Sequence, residues 1–316
     1  MKKITIKEIL PFLGSKHKIA GNISVDNFYK IKSISEADNE SLVWITSKRK
    51  DWKNLLDSTK AKLILCDYNI NIDEYLNDKC FIIIERPELA ILRITKEFFT
   101  EKQSIQKDNI HFTAILNTEA IIEPNVIIGP YAVIGKCIIK AESSIGAFTV
   151  IHDNVEIGRN VKIFEHCIIG QTGFRFICDE KGNLIDFPHI GKVVIEDDVQ
   201  IFPYSNIDRG TFGETRVKRG AKIDHYVHVG HNSTVGENAI ITAQVVFCGG
   251  SSVGKNTVIG VGTLLKDNTN VGQNSMIGLG SVVTKNVPEN SVWAGVPARP
   301  LEDLNIMHKK LNQLII

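Results

Sequence analysis

From Ile115 to Ile169 an aliphatic residue falls on every sixth position, without a miss. The beat returns at Ile195, Ile201 and Ile207, then runs from Val217 to Val283. A glycine often follows, as in Ile128-Gly129, Ile259-Gly260 and Ile277-Gly278. A helix repeats at about 3.6 residues and a strand at about 2, so neither yields this period. A hexapeptide period marks a parallel β-helix, in which each repeat supplies one short strand and one turn. Three hexapeptides close one triangular coil, so residues eighteen apart stack at about 4.8 Å. The beat residues are expected to point inward as an aliphatic column, where β-branched Val and Ile suit extended backbone. Asn154, Asn160, Asn238, Asn256 and Asn274 are expected at corners with left-handed backbone. One coil cannot bury its own faces, so stability must come from stacking.

With 316 residues the chain is long enough for two domains. A net charge of +1 gives no basic field for nucleic acid. No stretch is long and apolar enough to span a membrane, and the first residues lack a signal-peptide core. Six scattered cysteines without a CxxC pair read as free thiols in a reducing cytoplasm. Residues 1–105 lack the beat. They read as a small α/β domain: a short helix over 4–13, buried strands over 61–66 and 80–84, and a helix over 87–102 opened by Pro87. A polar connection over 106–114 leads into the β-helix, which fills 106–287. Pro288 to Ser291 ends it, and 288–316 forms an extension with a terminal helix carrying Leu304, Met307, Leu311 and Leu314 on one side.

The beat is interrupted twice, across residues 170–192 and by four extra residues after Ile207. Loops leaving a rigid solenoid are where binding surfaces form. Beside them lies the densest polar stretch, residues 224–232, with three of the nine histidines: His225, His228 and His231. His225 and His231 hold the same hexad position and therefore project from successive faces, which argues for a metal-free site over a zinc site.

These repeats resemble the left-handed β-helix of hexapeptide-repeat acyltransferases, a family that assembles as homotrimers with active sites between neighbouring prisms. The segments around Asp208-Arg209-Gly210, Lys222-Ile223-Asp224 and Gly230-His231-Asn232, with Gly173-Phe174 and residues 188–194, resemble the N-acyltransferases of lipid A biosynthesis over almost the whole chain. That family acylates the 2-amine of a UDP-3-O-acyl-glucosamine. The resemblance implies His231 as catalytic base, and it implies substrate contacts at Phe174, Asp208 and Asn232. It also implies a uridine site in the first domain, where Trp44 and Trp52 would grip the base.

The chemistry is consistent with an imidazole at 231. An amine attacking a thioester must lose a proton near neutral pH, and a group with a pKa of about 6.5 can take it. Asp224 is the group expected to orient the ring. Gly249, eighteen residues on, is expected to offer its N–H to the oxyanion. At the place of a further family histidine stands Asn268, so the acyl donor is open between acyl-ACP and acyl-CoA, with no tightly bound cofactor. Lys266, Lys285 and Arg299 are the candidate donor contacts, and residues 293–299 also resemble acetyl-CoA-dependent sugar acetyltransferases. The expected activity is N-acylation of a nucleotide-linked amino sugar. The alternatives are an N-acetyltransferase for O-antigen or capsule and a non-catalytic scaffold.

Overall fold

In a computed structural model the chain divides into two compact units, residues 1–104 and 105–316, and the structure describes residues 2–14, 16–100 and 109–314. The expected helix end at 101–102, the start of the connection at 106–108 and the side chain of Leu314 lie outside the described residues.

The first unit is a five-stranded sheet in the order His17–Gly21, Cys80–Ile84, Leu63–Cys66, Ser41–Ile45, Lys30–Ile31. Only the first pair is antiparallel. The two central strands are buried at every residue, as a sheet covered on both faces requires. Alternate residues serve the two faces. Leu63, Leu65, Ile82 and Ile84 pack with Ile91 and Ile94 of the helix Pro87–Phe98, while Ile64, Cys66, Phe81 and Ile83 pack with Leu56 of the helix Trp52–Ser58. The expected helix over 4–13 is instead a strand, Ile4–Thr5, a four-residue helix, Ile6–Ile9, and a 3-10 turn, Leu10–Phe12. Thr5 and Glu8 form a capping box that starts the helix, while Pro11 in the following turn donates no backbone hydrogen bond.

The second unit is a prism of three sheets with ten, nine and eight strands, parallel throughout except for the last strand of the ten. From Ile139 to Val283 the inward column is buried, and a fully buried Val, Ile or Leu contributes roughly 1.5–3 kcal/mol. The phase differs at the start. Ile115, Ile121, Ile127 and Val133 face outward, at 65%, 58%, 37% and 37% exposure, and their neighbours Leu116, Ile122, Ile128 and Ile134 face in. The cause is one residue missing at the turn before Ile138. Val133 pairs with Ile115 below and Val150 above, a step of one fewer than the usual coil. Ile-Ile and Val-Ile doublets hide that slip in the sequence.

The five corner asparagines have φ between 52° and 61° as expected, four of them at one corner and Asn154 at the corner of the two interruptions. A second corner carries aromatic rings at the same left-handed position, and Tyr131, Phe148, His166, Tyr204 and Tyr226 stack with centroids 4.9–5.1 Å apart. Both interruptions leave from a third corner. Ile169 pairs with Ile207 across the first, which carries the exposed hairpin Phe176–Cys178 and Leu184–Asp186. Ile207 pairs with Val229 across the second. The prism does not stop at 287. Val292–Ala294 adds one more parallel rung, Arg299–Pro300 folds back on it, and the helix Leu301–Leu314 follows. Leu304 lies against Gly295, while Met307 and Leu311 are 44% and 50% exposed.

Candidate active site

His231 and Asn232 form the corner turn after the strand His228–Val229, with Asn232 at φ 61°. Asn232 Oδ1 accepts from the Thr211 N–H at 3.0 Å and the Thr211 hydroxyl at 2.9 Å. A backbone N–H only donates, so the amide atom facing it is the oxygen. That same oxygen lies 3.0 Å from His231 Nδ1, which must therefore carry the proton. The Nε2 lone pair is left free as a base.

Nε2 faces the next coil, where a methyl group built on Gly249 would sit 2.6 Å from it. Only glycine allows the ring this position. The Gly249 N–H makes no hydrogen bond among the described residues, so it is open to a developing oxyanion. A cavity of about 620 Å³ lies here, lined by Phe174, Phe212, His231, Asn232, Gly249 and Asn268. A second cavity, of about 750 Å³, shares Phe212 and Gly213 with it and runs down the third sheet past Ile190, Ile138 and Ile121.

The carboxylate beside the imidazoles is Asp208, not Asp224. Asp224 accepts from the N–H of His225 at 2.8 Å and lies 2.6 Å from His225 Nδ1, so within the chain it serves that ring. Its position places it on a different sheet from His231, which is why it does not reach. Asp208 is 4% exposed, and Gln171 Nε2 donates to it at 2.9 Å. Its second oxygen is 3.6 Å from His228 Nε2. Burial pushes its carboxyl up, against the Gln171 hydrogen bond and the fields of His228, His231 and His189.

The last of these was not visible in the sequence. His189 is 6% exposed, its ring centroid is 5.0 Å from that of His231, and neither ring nitrogen has a hydrogen-bond partner among the described residues. An unmade buried hydrogen bond costs about 1–3 kcal/mol. Burial first, then the charge of His231, holds its pKa down, and the Phe187 carbonyl opposes this without reaching hydrogen-bond geometry. Thr211, Gln171 and His189 all lie in or at the edge of the two interruptions, which is the signal that could have found them.

The other expected contacts divide. Phe174 is 87% exposed and edge-on to Phe176. Lys285 stacks above Asp267, Gly249 and His231 at one corner, about 14 Å up at 4.8 Å per coil. Lys266 is exposed on the coil of Asp267, and Arg299 is exposed on a different sheet, at the prism's end. In the first unit Trp44 is 41% exposed and lines a cavity of about 490 Å³ with Ser47, Lys48, Asp67 and Arg86. Trp52 packs instead against the hydrophobic cluster of Leu56, so the structure does not bring the two tryptophans to one cavity wall. Arg49 pairs with Asp51 at 2.8 Å.

The profile of the family Bacterial transferase hexapeptide (six repeats) matches residues 214–249. The chain is 48% identical over 166 residues to a UDP-3-O-acylglucosamine N-acyltransferase of Caulobacter vibrioides, covering 52% of this chain and 47% of that protein. It is 27% identical over 264 residues to one from Coxiella burnetii, covering 75% and 72%. The chain spans about half the length of the first relatives it matches. Among solved structures, the UDP-N-acetylglucosamine acyltransferase of Francisella novicida aligns with a TM-score of 0.54 at 26% identity, over 60% of this chain and 69% of that one. The second unit is thus a left-handed parallel β-helix in which residues 214–249 match the bacterial-transferase hexapeptide repeat, and the chain has relatives named UDP-3-O-acylglucosamine N-acyltransferase in several species.

Proposed function

We propose that this protein is an N-acyltransferase that moves an acyl group from a thioester donor to the amine of a UDP-linked 3-O-acyl-glucosamine in lipid A assembly. One observation carries the reading: an imidazole with Nδ1 fixed as donor holds its free Nε2 over the bare Cα of Gly249, whose N–H is unpaired among the described residues, in an open cavity. The amine attacks the thioester carbonyl and Nε2 takes its proton. The tetrahedral oxyanion faces the Gly249 N–H. Collapse breaks the carbon–sulfur bond, and the leaving thiolate recovers a proton from the imidazolium. Buried Asp208 supplies a fixed negative field for that cation. The mostly apolar walls of the 750 Å³ cavity suit an acyl chain.

Lys285, above His231 on the same corner, is suited to a CoA phosphate or an acidic carrier protein, and the donor is one of these two thioesters. On one sheet the outward residues Ile115, Val133, Val150 and Ile168 lie on one side of polar Asn206 and His228, and Val246, Leu264 and Val282 on the other; these two apolar stretches suit burial between protomers, so a homotrimer is the proposed assembly. Six free cysteines fit a cytoplasmic protein. The test is thiol release from acyl-ACP and acyl-CoA with UDP-amino sugars. His231→Ala is expected to abolish transfer, a loss on the order of 10²–10⁴-fold, with the fold intact. Wild-type turnover in that variant removes the base.

A further inference from the structure

We propose that His189 is a second acceptor-binding imidazole of this site, which hydrogen-bonds a hydroxyl of the sugar whose amine is acylated beside His231. The inference rests on the function proposed above and adds a residue and a ligand group to it.

Packing alone does not explain the His189 side chain. His189 is 94% buried, and both its nitrogens are buried without a hydrogen-bond partner among the described residues. A phenylalanine or leucine would fill that space without stranding two polar atoms, and native proteins rarely leave such atoms unpaired without use. The ring is also well placed. It stands 5.0 Å from the His231 ring, tilted by 59°. Gly173 is the thin cover over both, because a methyl group there would fall 2.8 Å from His189 Nε2 and 3.1 Å from His231 Cδ2. The next residue, Phe174, lines the cavity. Gly173 and His189 sit at the two ends of an insertion whose hairpin strands are exposed at every residue, so little packing resists movement of the cover.

The chemistry selects the ligand group. A neutral imidazole offers one donor and one acceptor, and a hydroxyl both accepts and donates. Burial disfavours the imidazolium, which makes the ring a poor partner for phosphate and a good one for an uncharged sugar hydroxyl. Asp186 and Asp208 contribute to the field at His189, and the Asp208 carboxylate would repel an anionic ligand group.

Two variants and one ligand titration test this. His189→Phe keeps the ring volume without polar atoms, and His189→Gln keeps a donor and an acceptor. The expected result is that His189→Phe unfolds at a higher temperature than wild type, yet loses at least tenfold in kcat/KM for the UDP-amino sugar, mostly through KM. His189→Gln is expected to stay within about threefold of wild type. Equal turnover in wild type and His189→Phe overturns the inference while leaving His231 as the base. The variant-independent arm follows the 15N shifts of the histidine rings on adding UDP-glucosamine, with UDP as control. His189 is expected to shift with the sugar nucleotide and not with UDP. Movement of the His231 signals alone overturns the inference. Wild type that binds the sugar nucleotide through His189 but releases no thiol refutes the proposed transfer and keeps this contact. No binding of UDP-glucosamine refutes both.

Discussion

Gly249 offers the sharpest quantitative test of the site. An alanine there is allowed by the backbone, since φ is not in the left-handed region, but its methyl carbon would lie 2.6 Å from both His231 Nε2 and Cε1 and 3.3 Å from Cδ2. Ordinary contact is about 3.5 Å, so one partner must retreat by roughly 0.9 Å. The imidazole is the partner able to move, because the other wall of the contact is a backbone ladder in which Gly250 donates to the His231 carbonyl at 2.8 Å. A retreat of this size pulls Nδ1 off Asn232 Oδ1 and moves Nε2 off line. Misplacement by about 1 Å costs on the order of 10²-fold in rate, or about 2.7 kcal/mol of barrier. Gly249→Ala is therefore expected to lower kcat for thiol release about 100-fold, with an unfolding temperature near that of wild type. Gly254→Ala is the control. Its methyl would meet the backbone N and Cα of Gln273 in the next coil at 2.5 and 2.7 Å, where no side chain can turn away. That variant is expected to lose about 1–3 kcal/mol of stability, with activity falling only as the fold does. A Gly249→Ala enzyme with wild-type kcat refutes the reasoning, as does one whose activity loss follows its unfolding.

Asn232→Leu removes the acceptor that fixes the His231 tautomer. It is expected to lower kcat on the order of 10²-fold with little change in KM, and a wild-type rate removes the tautomer argument. Phe247→Ala empties the inward column between Val229 and Leu265 and is expected to cost about 3–5 kcal/mol in urea unfolding. Asp208 has a native pKa above its unfolded value, so the native state binds that proton more tightly. Its contribution to stability is therefore fully present below the unfolded carboxylate pKa and is lost as pH rises through the native one. Asp208→Asn is expected to flatten that dependence in thermal unfolding from the unfolded carboxylate pKa of about 4 upward while lowering turnover; an unchanged pH profile refutes the burial argument.

The prism was legible because its information is local and repeated. Each inward residue needs only the two strands above and below, and the period states where they are. The same locality explains the error at its start. In Ile121-Ile122, Ile127-Ile128 and Val133-Ile134 both members of the doublet are aliphatic, so sequence alone gives the same score to either phase. Only the pairing of Val133 with Val150 shows which member faces in. The first unit was legible at its buried runs, Leu63–Cys66 and Cys80–Ile84, and not at 4–12, where a two-residue strand and a single helical turn carry no period to read.

The site was half legible for a geometric reason. On a triangular prism, residues close in sequence lie on different faces, and residues on one corner are separated by a coil plus whatever the loops add. His231 and Gly249 are linked by an uninterrupted coil, so counting eighteen residues finds the pair. Asp224 is near His231 in sequence and belongs to the neighbouring sheet, whereas Asp208 lies below Gly230 only once the four extra residues are counted. His189 is reached across an insertion with no period of its own, so no count leads to it. The histidine whose partner is missing is thus also the one whose place the repeat leaves undetermined. In a solenoid, the repeat defines the wall of a site, and the groups that distinguish one ligand from another enter through the residues that break the repeat.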